Sequence, residues 1–332
     1  MPTTKKTIEI RKEIEFPFPQ GVVSKGSLLS ISAAFNSDYS LLALADYTPG
    51  FRAFIRVINP LNYQSKNEIS EITAHKHPVF VLCWSNYVAK LIAASRDRVT
   101  VLQKAGNSLT NLKEYGPFFH SDVEDDVCSI ALNDDAKRLA IGFFGSIRLV
   151  DLETDKVKMC FDSYDQMSYD ALCFNQTGSE IISGSSNGVI TVWDCLTLDR
   201  TNNLKRKHYF KEKHPRGHVK ILTLNSDGLR LATGTLGGQI KVWDTQNQEC
   251  ISTINHEECF DTKALAFSTD SLTLVGGFAN GKVMVFNVKT ASVIQKLSYD
   301  AHYIRAVAMS ADGGRIMAML DTNTLAVVEK VE

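Results

Sequence analysis

The chain has 332 residues, 44% of them hydrophobic and 22% charged, with a formal net charge of −1. So even a balance supplies no global field toward nucleic acid or a membrane surface. There is no run of about 18 apolar residues that would read as a membrane-spanning helix. Seven cysteines, an odd number with no CxxC pair, argue against a disulfide framework or a zinc site and suit a reducing compartment, cytosol or nucleus. The start, Met1-Pro2-Thr3-Thr4-Lys5-Lys6, lacks the apolar core of a secretory signal.

The first strand-like stretch is Thr7–Phe16, which belongs to no later pattern. Seven strands of β-branched and apolar residues with period-two alternation then follow at wide intervals: Phe54–Ile58, Val99–Leu102, Ile147–Val150, Ile190–Trp193, Ile240–Trp243, Val283–Phe286 and Leu325–Val328. The corresponding end positions, Ile58, Leu102, Val150, Trp193, Trp243, Phe286 and Glu329, are spaced by 44, 48, 43, 50, 43 and 43 residues. Five are followed by Asp or Asn: Asn59, Asp151, Asp194, Asp244 and Asn287. Gln103 and Lys330 stand there in copies two and seven.

Upstream of each lies another apolar run and then a turn. Leu222–Gly228, Val307–Gly313 and Leu172–Gly178 end in Asp-Gly or Thr-Gly, which supplies the residue that tolerates positive φ in a tight hairpin. Ala34–Tyr39, Ala131–Ala136 and Ala266–Ser271 read as the same turn without its glycine. Strands every eight to twelve residues, with no sustained helical period, predict an all-β array. A self-similar unit of this length predicts stacked four-stranded sheets.

In its clearest copies the unit runs Leu231-Ala-Thr-Gly-Thr-Leu-Gly-Gly-Gln-Ile-Lys-Val-Trp-Asp244 and Ile181-Ile-Ser-Gly-Ser-Ser-Asn-Gly-Val-Ile-Thr-Val-Trp-Asp194. It resembles the WD40 repeat, with its Gly-His pair, Asp-Gly hairpin, Ser/Thr-Gly-Ser/Thr step and Trp-Asp end. Gly217-His218 with Trp243-Asp244 makes the one nearly complete copy, and the resemblance covers essentially the whole chain. It implies a seven-bladed β-propeller forming a single domain over 1–332, with blades near 28–74, 75–119, 120–166, 167–217, 218–260, 261–302 and 303–332. The seventh copy has no fourth strand after it, so residues 7–14 are expected to complete that blade and close the ring. The resemblance also implies structural roles for His218, Thr235, Trp193, Trp243, Asp194 and Asp244. Its Ser/Thr column falls on Ser185 and Thr235, with Phe143 and Phe278 in blades three and six, where ring packing must replace a His–Ser/Thr–Trp network. Cys83, Cys128 and Cys173 fall in innermost strands as small hydrophobes.

Three features carry candidate contacts. The longest insertion, about 195–217, contains a strongly basic stretch with Lys205, Arg206, Lys207, His208, Lys211, Lys213, His214 and Arg216. It should include the outer strand of blade four and the loop into blade five. It reads as a dock for an acidic peptide or an RNA backbone, with His208 and Tyr209 able to stack on bases, or as a solvated edge protected by its cations. Tyr47, Phe51 and Phe144 sit in loops predicted on one rim, where aromatics anchor peptides, whereas Phe143 and Phe278 read as packing between blades. The acidic run Ser121–Asp126 precedes blade three, and His75, His77 and Pro78 read as a turn into blade two.

No HExxH, GxSxG or Walker loop occurs, and His75-Lys-His77 lacks a third ligand nearby in sequence. The expectation is therefore no catalytic residues, no cofactor and no metal. Leu196 and Gln246 stand where propellers of cullin ligases carry a basic residue, the paired-arginine phosphoinositide motif is missing, and the stretch before Pro17 is too short for the long helix of G-protein β propellers. The expected function is a non-catalytic protein–protein scaffold, a monomeric propeller within a hetero-complex of the cytoplasm or nucleus. The alternatives are an RNA-associated accessory propeller using residues 205–218 and, further off, a propeller hydrolase.

Overall fold

The structure is a computed structural model. It describes residues 11–15, 29–36, 40–47, 53–60, 70–75, 77–85, 90–96, 98–106, 108–116, 119–120, 123–124, 127–161, 167–198, 204–215, 217–301, 303–310, 313–321 and 324–329. Seven four-stranded antiparallel sheets succeed one another along the chain. Blade one is built from Leu29–Phe35, Leu42–Tyr47, Ala53–Ile58 and Ser70–His75, and blade two from Val79–Trp84, Lys90–Ser95, Val99–Ala105 and Ser108–Tyr115. Blade three has Ser129–Leu132, Arg138–Gly142, Ser146–Asp151 and Val157–Phe161; blade four has Tyr169–Phe174, Glu180–Ser185, Ile190–Leu198 and Leu204–Tyr209. Blade five follows with Val219–Leu224, Arg230–Thr235, Ile240–Asp244 and Glu249–Ile254, and blade six with Thr262–Phe267, Thr273–Phe278, Lys282–Asn287 and Val293–Ser298. Blade seven takes Ile304–Met309, Arg315–Leu320 and Thr324–Glu329 from the end of the chain and Arg11–Glu15 from its start. Arg11 pairs with Val328 and Glu15 with Thr324, so the expected N-terminal closure is present; residues 7–10 lie outside the described set. The innermost strands of neighbouring blades touch all round the ring.

There is no single core. Seven apolar clusters occupy the seven seams, each shared by two consecutive blades, and the seventh joins Leu42, Leu44 and Ile58 of blade one to Met317, Met319 and Leu325 of blade seven. The seams close because one position near the end of the second strand is kept small. A Cβ on Gly184 would sit 2.5 Å from Val219 Cγ1, on Gly234 2.5 Å from Thr262 Cγ2, and on Gly277 2.6 Å from Ile304 Cγ2. Each time the clash is with the first residue of the next innermost strand. Blade one carries Asp46 in this column, fully buried, with Arg56 Nε donating to Asp46 Oδ2 at 2.7 Å. A buried pair of this kind needs both members, because either charge alone in the seam would be uncompensated.

The turns repeat their chemistry. Asp151, Asp194, Asp244 and Asn287 each accept backbone N–H bonds two and three residues on, which is why the chain carries Asp or Asn after the third strand. At the first hairpin, Asn36, Asn133, Asn175, Asn225, Ser268 and Ser310 accept from the backbone five residues on. Ala136 at φ 53° and Ser271 at φ 60° hold the left-handed position that Gly178, Gly228 and Gly313 hold elsewhere, so these two turns keep the conformation of the glycine they lack, while Tyr39 of the third lies outside the described residues.

Inside blade five a continuous polar chain replaces apolar contact. Trp243 Nε1–H donates to Thr233 Oγ1 at 2.8 Å, and Thr233 Oγ1 lies 2.6 Å from His214 Nε2. His214 Nδ1 in turn lies 2.9 Å from Gln239 Oε1, whose amide donates to Asn255 Oδ1 at 3.0 Å. The neutral imidazole with its proton on Nδ1 satisfies every link. Two expectations are corrected here. The structural histidine is His214, 1% exposed, and not His218, which immediately precedes the innermost strand and reaches across to blade four. The hydroxyl column is Ser183 and Thr233, not Ser185 and Thr235: the indole of Trp193 or Trp243 reaches diagonally to the nearer residue on its face, at 2.9 and 2.8 Å. Ser185 and Thr235 instead close their own turns by donating to Val189 and Gln239 carbonyls. In blade six the same column is Gly276, and the Phe278 ring fills the space, edge-on to Phe286 at 6.4 Å. Phe143 is fully buried with the Arg148 guanidinium 4.4 Å from its ring centre, so both phenylalanines are seam packing.

Two outcomes follow from this packing. Gly234→Ala puts a methyl against Thr262 and is expected to destabilise the chain by about 1–3 kcal/mol, read as a lower urea midpoint; an unchanged midpoint would mean that the seam has slack. Burial pushes His214 down from 6.5 to about 4. Its folded pKa lies below its unfolded one, so its contribution is complete above about pH 6.5 and drains away as the pH falls toward 4. Unfolding free energy should drop by about 2 kcal/mol between pH 7 and pH 5 from this group alone. That fall should be absent in His214→Gln; equal pH dependence in both chains would contradict the assignment.

Candidate functional site

The basic insertion is the outer strand of blade four, Leu204–Tyr209, and the loop into blade five, as its position in the repeat predicts. Three side chains peg it down. Leu204 enters the seam between blades three and four. Phe210 and His214 both meet the Trp243 ring edge-on, at 5.4 and 5.9 Å between centroids. His214 therefore belongs to the core and cannot serve as the surface contact expected of it. Between the pegs everything basic faces out: Lys205, Arg206, Lys207, Lys211 and Lys213 are exposed, and His208 is half-buried. A register shift between Val192 and Trp193, where Val192 pairs with His208 and Trp193 with Arg206, leaves Lys207 as the extra residue. Arg206 and Lys207 are thus both turned to solvent, where strict alternation would have buried one.

The cations are interleaved with acid. Lys207 pairs with Glu180, Lys211 with Glu249 at 2.7 Å, and the nearby Lys241 with Glu212 at 2.8 Å. The Arg206 guanidinium lies 4.6 Å from the centre of the Tyr209 ring, which makes Tyr209 its platform. Among the described residues no carboxylate pairs with Lys205 or Lys213. Exposed pairs such as Lys211–Glu249 are worth about 0–1 kcal/mol, so an incoming polyanion could displace them cheaply. The net field is nonetheless modest, five cations against Glu180, Glu212 and Glu249. Arg216 lies outside the described residues.

The second surface is the rim where each blade begins. Backbone bonds stitch the turns between second and third strands to the entry segments: Gly145 N–H to Met167, Tyr169 N–H to Phe143, His214 N–H to Gly188, His218 N–H to Ser186 and Leu236 N–H to His218. Phe144 stands out from this rim, 58% exposed and bridged to Ser168. Tyr47 ends the second strand of blade one, its side chain outside the described set, as is all of Phe51. The rim also exposes Phe260 at 64% and Leu236 at 48%, which sequence reading passed over. Their signal was present: each is an apolar residue at a turn position, Leu236 before Gly237-Gly238 and Phe260 before Asp261, where a polar residue would cost nothing. Of the acidic run, Val123–Glu124 forms a two-residue ladder with Phe119–His120, and the remainder lies outside the described residues. His75 ends the outer strand of blade one, buried, with Nδ1 2.8 Å from Ser95 Oγ, and so packs a seam where a simple turn was expected.

Among the described residues no group of three or more His, Cys, Asp or Glu is placed to hold a metal ion. Cys83, Cys128, Cys173, Cys195, Cys250 and Cys259 are in no disulfide. Burial raises Cys83 to about 11 and Cys173 and Cys259 to about 12, which makes them poor nucleophiles. No described helix is long and apolar enough to cross a membrane.

Comparison with known proteins agrees with the repeat. Residues 129–328 match the family described as Nucleolar protein 10-like, N-terminal domain. WD repeat-containing protein SL1-17 of Schistosoma mansoni is 28% identical over 144 residues, 43% of this chain and 46% of that protein. U3 small nucleolar RNA-associated protein 15 homolog of Xenopus laevis is 25% identical over 236 residues, 70% of this chain and 42% of that protein. U3 small nucleolar RNA-associated protein 12 of Saccharomyces cerevisiae is 30% identical over 120 residues, 36% of this chain and 12% of that protein. The chain spans less than half the length of each of these relatives. With seven blades in the structure and a family match over more than half of its length, the chain belongs to the nucleolar protein 10-like N-terminal-domain family of WD40-type β-propellers.

Proposed function

We propose that this chain is a non-catalytic scaffold of a nuclear, RNA-processing assembly, presenting its rim and its basic outer strand to other subunits. The observation that carries the reading is a rigid seven-seam ring whose exposed apolar residues and cations sit on pegged turns, in a family named for a nucleolar protein. Two relatives named as U3 small nucleolar RNA-associated proteins point the same way. A pre-ordered loop loses little conformational freedom when it binds, so a modest contact area can still hold a partner. The test is affinity purification of the tagged chain from nuclear extract, with and without nuclease, followed by mass spectrometry. A stoichiometric protein set that survives nuclease supports the scaffold; recovery of the chain alone contradicts it.

A second reading, direct RNA contact through the outer strand of blade four, is favoured by Lys205 and Lys213, exposed and without carboxylate partners among the described residues. Replacing Lys205, Arg206, Lys207 and Lys213 by Glu should abolish retention of a single-stranded RNA probe while the melting temperature holds. If these four contact phosphates, the logarithm of affinity should fall with the logarithm of salt with a slope of about −3. Retention that survives the charge reversal removes this reading.

A further inference from the structure

Six of the seven innermost strands carry the same irregularity; in blade one it falls between Ser30 and Ser32, where the skipped side chain lies outside the described residues, and the other five follow in chain order. The register skips one residue between Val79 and Val81, Tyr169 and Ala171, Val219 and Ile221, Thr262 and Ala264, and Ile304 and Ala306. In these five the skipped residues are Phe80, Asp170, Lys220, Lys263 and Arg305. A bulge turns its extra side chain out of the pleat. At the entry end of an innermost strand, that sets these side chains around the mouth of the ring. The same device thus gives the mouth its chemistry, and it is uneven: blades five, six and seven contribute three consecutive cations.

Two of them are already shared. Lys220 Nζ lies 3.0 Å from Asp170 Oδ1, and Lys263 Nζ 2.8 Å from Asp261 Oδ2. Burial works to raise the Asp170 carboxyl, but hydrogen bonds from Ser168, Lys220 and His218 outweigh it and hold it ionised. Arg305 is different. Its guanidinium sits 5.0 Å from the centre of the Tyr303 ring, and Nη2 donates to the Asp321 carbonyl at 3.3 Å, while Nε and Nη1 are enclosed with no acceptor. Of the carboxylates that act on it at a distance, Asp321 does so more strongly than Asp46, which is held by Arg56. Among the described residues Arg305 is thus the one of the three cations in no ion pair, and the two lysine ammonium groups remain partly exposed, at 35% and 39%. Beside the lysines stand the exposed apolar residues of the same blades. Leu236 is bonded through its N–H to His218, two residues before Lys220, and Phe260 lies three residues before Lys263.

We infer that the rim over blades five to seven is a docking site for an extended acidic segment of a partner protein: one aspartate or glutamate carboxylate over Lys263 and Arg305, flanked by apolar side chains on Phe260 and Leu236. A single carboxylate matches the one cation that has no ion pair among the described residues. This inference rests on the scaffold reading and gives it a site and a partner chemistry.

The test uses the full chain as bait for a phage-displayed library of random 12-residue peptides, with the enriched peptides synthesised and measured by calorimetry. Enriched sequences should share an acidic position with apolar neighbours. Changing that residue to Asn or Gln should weaken binding at least tenfold, as should Arg305→Met and, on the exposed surface where folding is safe, Lys263→Glu. Enrichment without an acidic position, affinity unchanged in Lys263→Glu, or displacement of the peptide by an equimolar single-stranded RNA would each overturn the inference. Were the peptides to fail while the tagged chain still recovers its protein set, this site would fall and the scaffold would stand.

Discussion

Everything in this molecule depends on how closely one blade can approach the next. A four-stranded sheet alone buries too little to be stable, so each blade must cover its neighbour, and the approach is set at one column near the end of the second strand. Gly184, Gly234 and Gly277 leave room there for Val219, Thr262 and Ile304 to seat directly on backbone. The seven clusters are the result, and the ring needs all seven seams, which is why the first segment must return to complete the last blade.

The divergent blades solve the same packing problem with other chemistry. Blade five carries the full hydrogen-bonded chain from Trp243 through Thr233 to His214. Blade six lacks the hydroxyl, has Gly276 in its place, and lays the Phe278 ring over it. Blade one puts Asp46 in the glycine column and neutralises it with Arg56, while blade seven uses Met319, a flexible side chain suited to an irregular gap. These are alternative fillings at adjacent columns of the second strand, on both of its faces, so the ring stays regular although the repeats do not.

Because stability lies in the seams, the surfaces are free to carry function. The outer strand of blade four buries Leu204, and the loop after it Phe210 and His214; the intervening cations cost the core nothing. At the mouth, a bulge in every innermost strand but that of blade three supplies an extra side chain, and its identity varies from Phe80 to Asp170 to Arg305 without disturbing the ladders.

The sequence by itself determined the architecture. Seven in-phase strand ends, Asp or Asn after most of them, and Asp-Gly hairpins are local signals, and local backbone geometry answers to local residues: Ala136 and Ser271 hold positive φ in the very turns expected to have lost a glycine. It also placed the basic insertion on the outer strand of blade four. What it misjudged were the assignments that turn on reach across space. His218 fits the Gly-His pattern, yet His214 lies under Trp243, because the loop folds back after Phe210 and only the earlier histidine passes over Thr233. The hydroxyl column slipped by two residues for the same reason, since residues two apart share a strand face and only the diagonal distance separates them. Only the tertiary structure decided the mouth, where Lys220, Lys263 and Arg305 are more than forty residues apart along the chain and are carried by innermost strands that touch in succession.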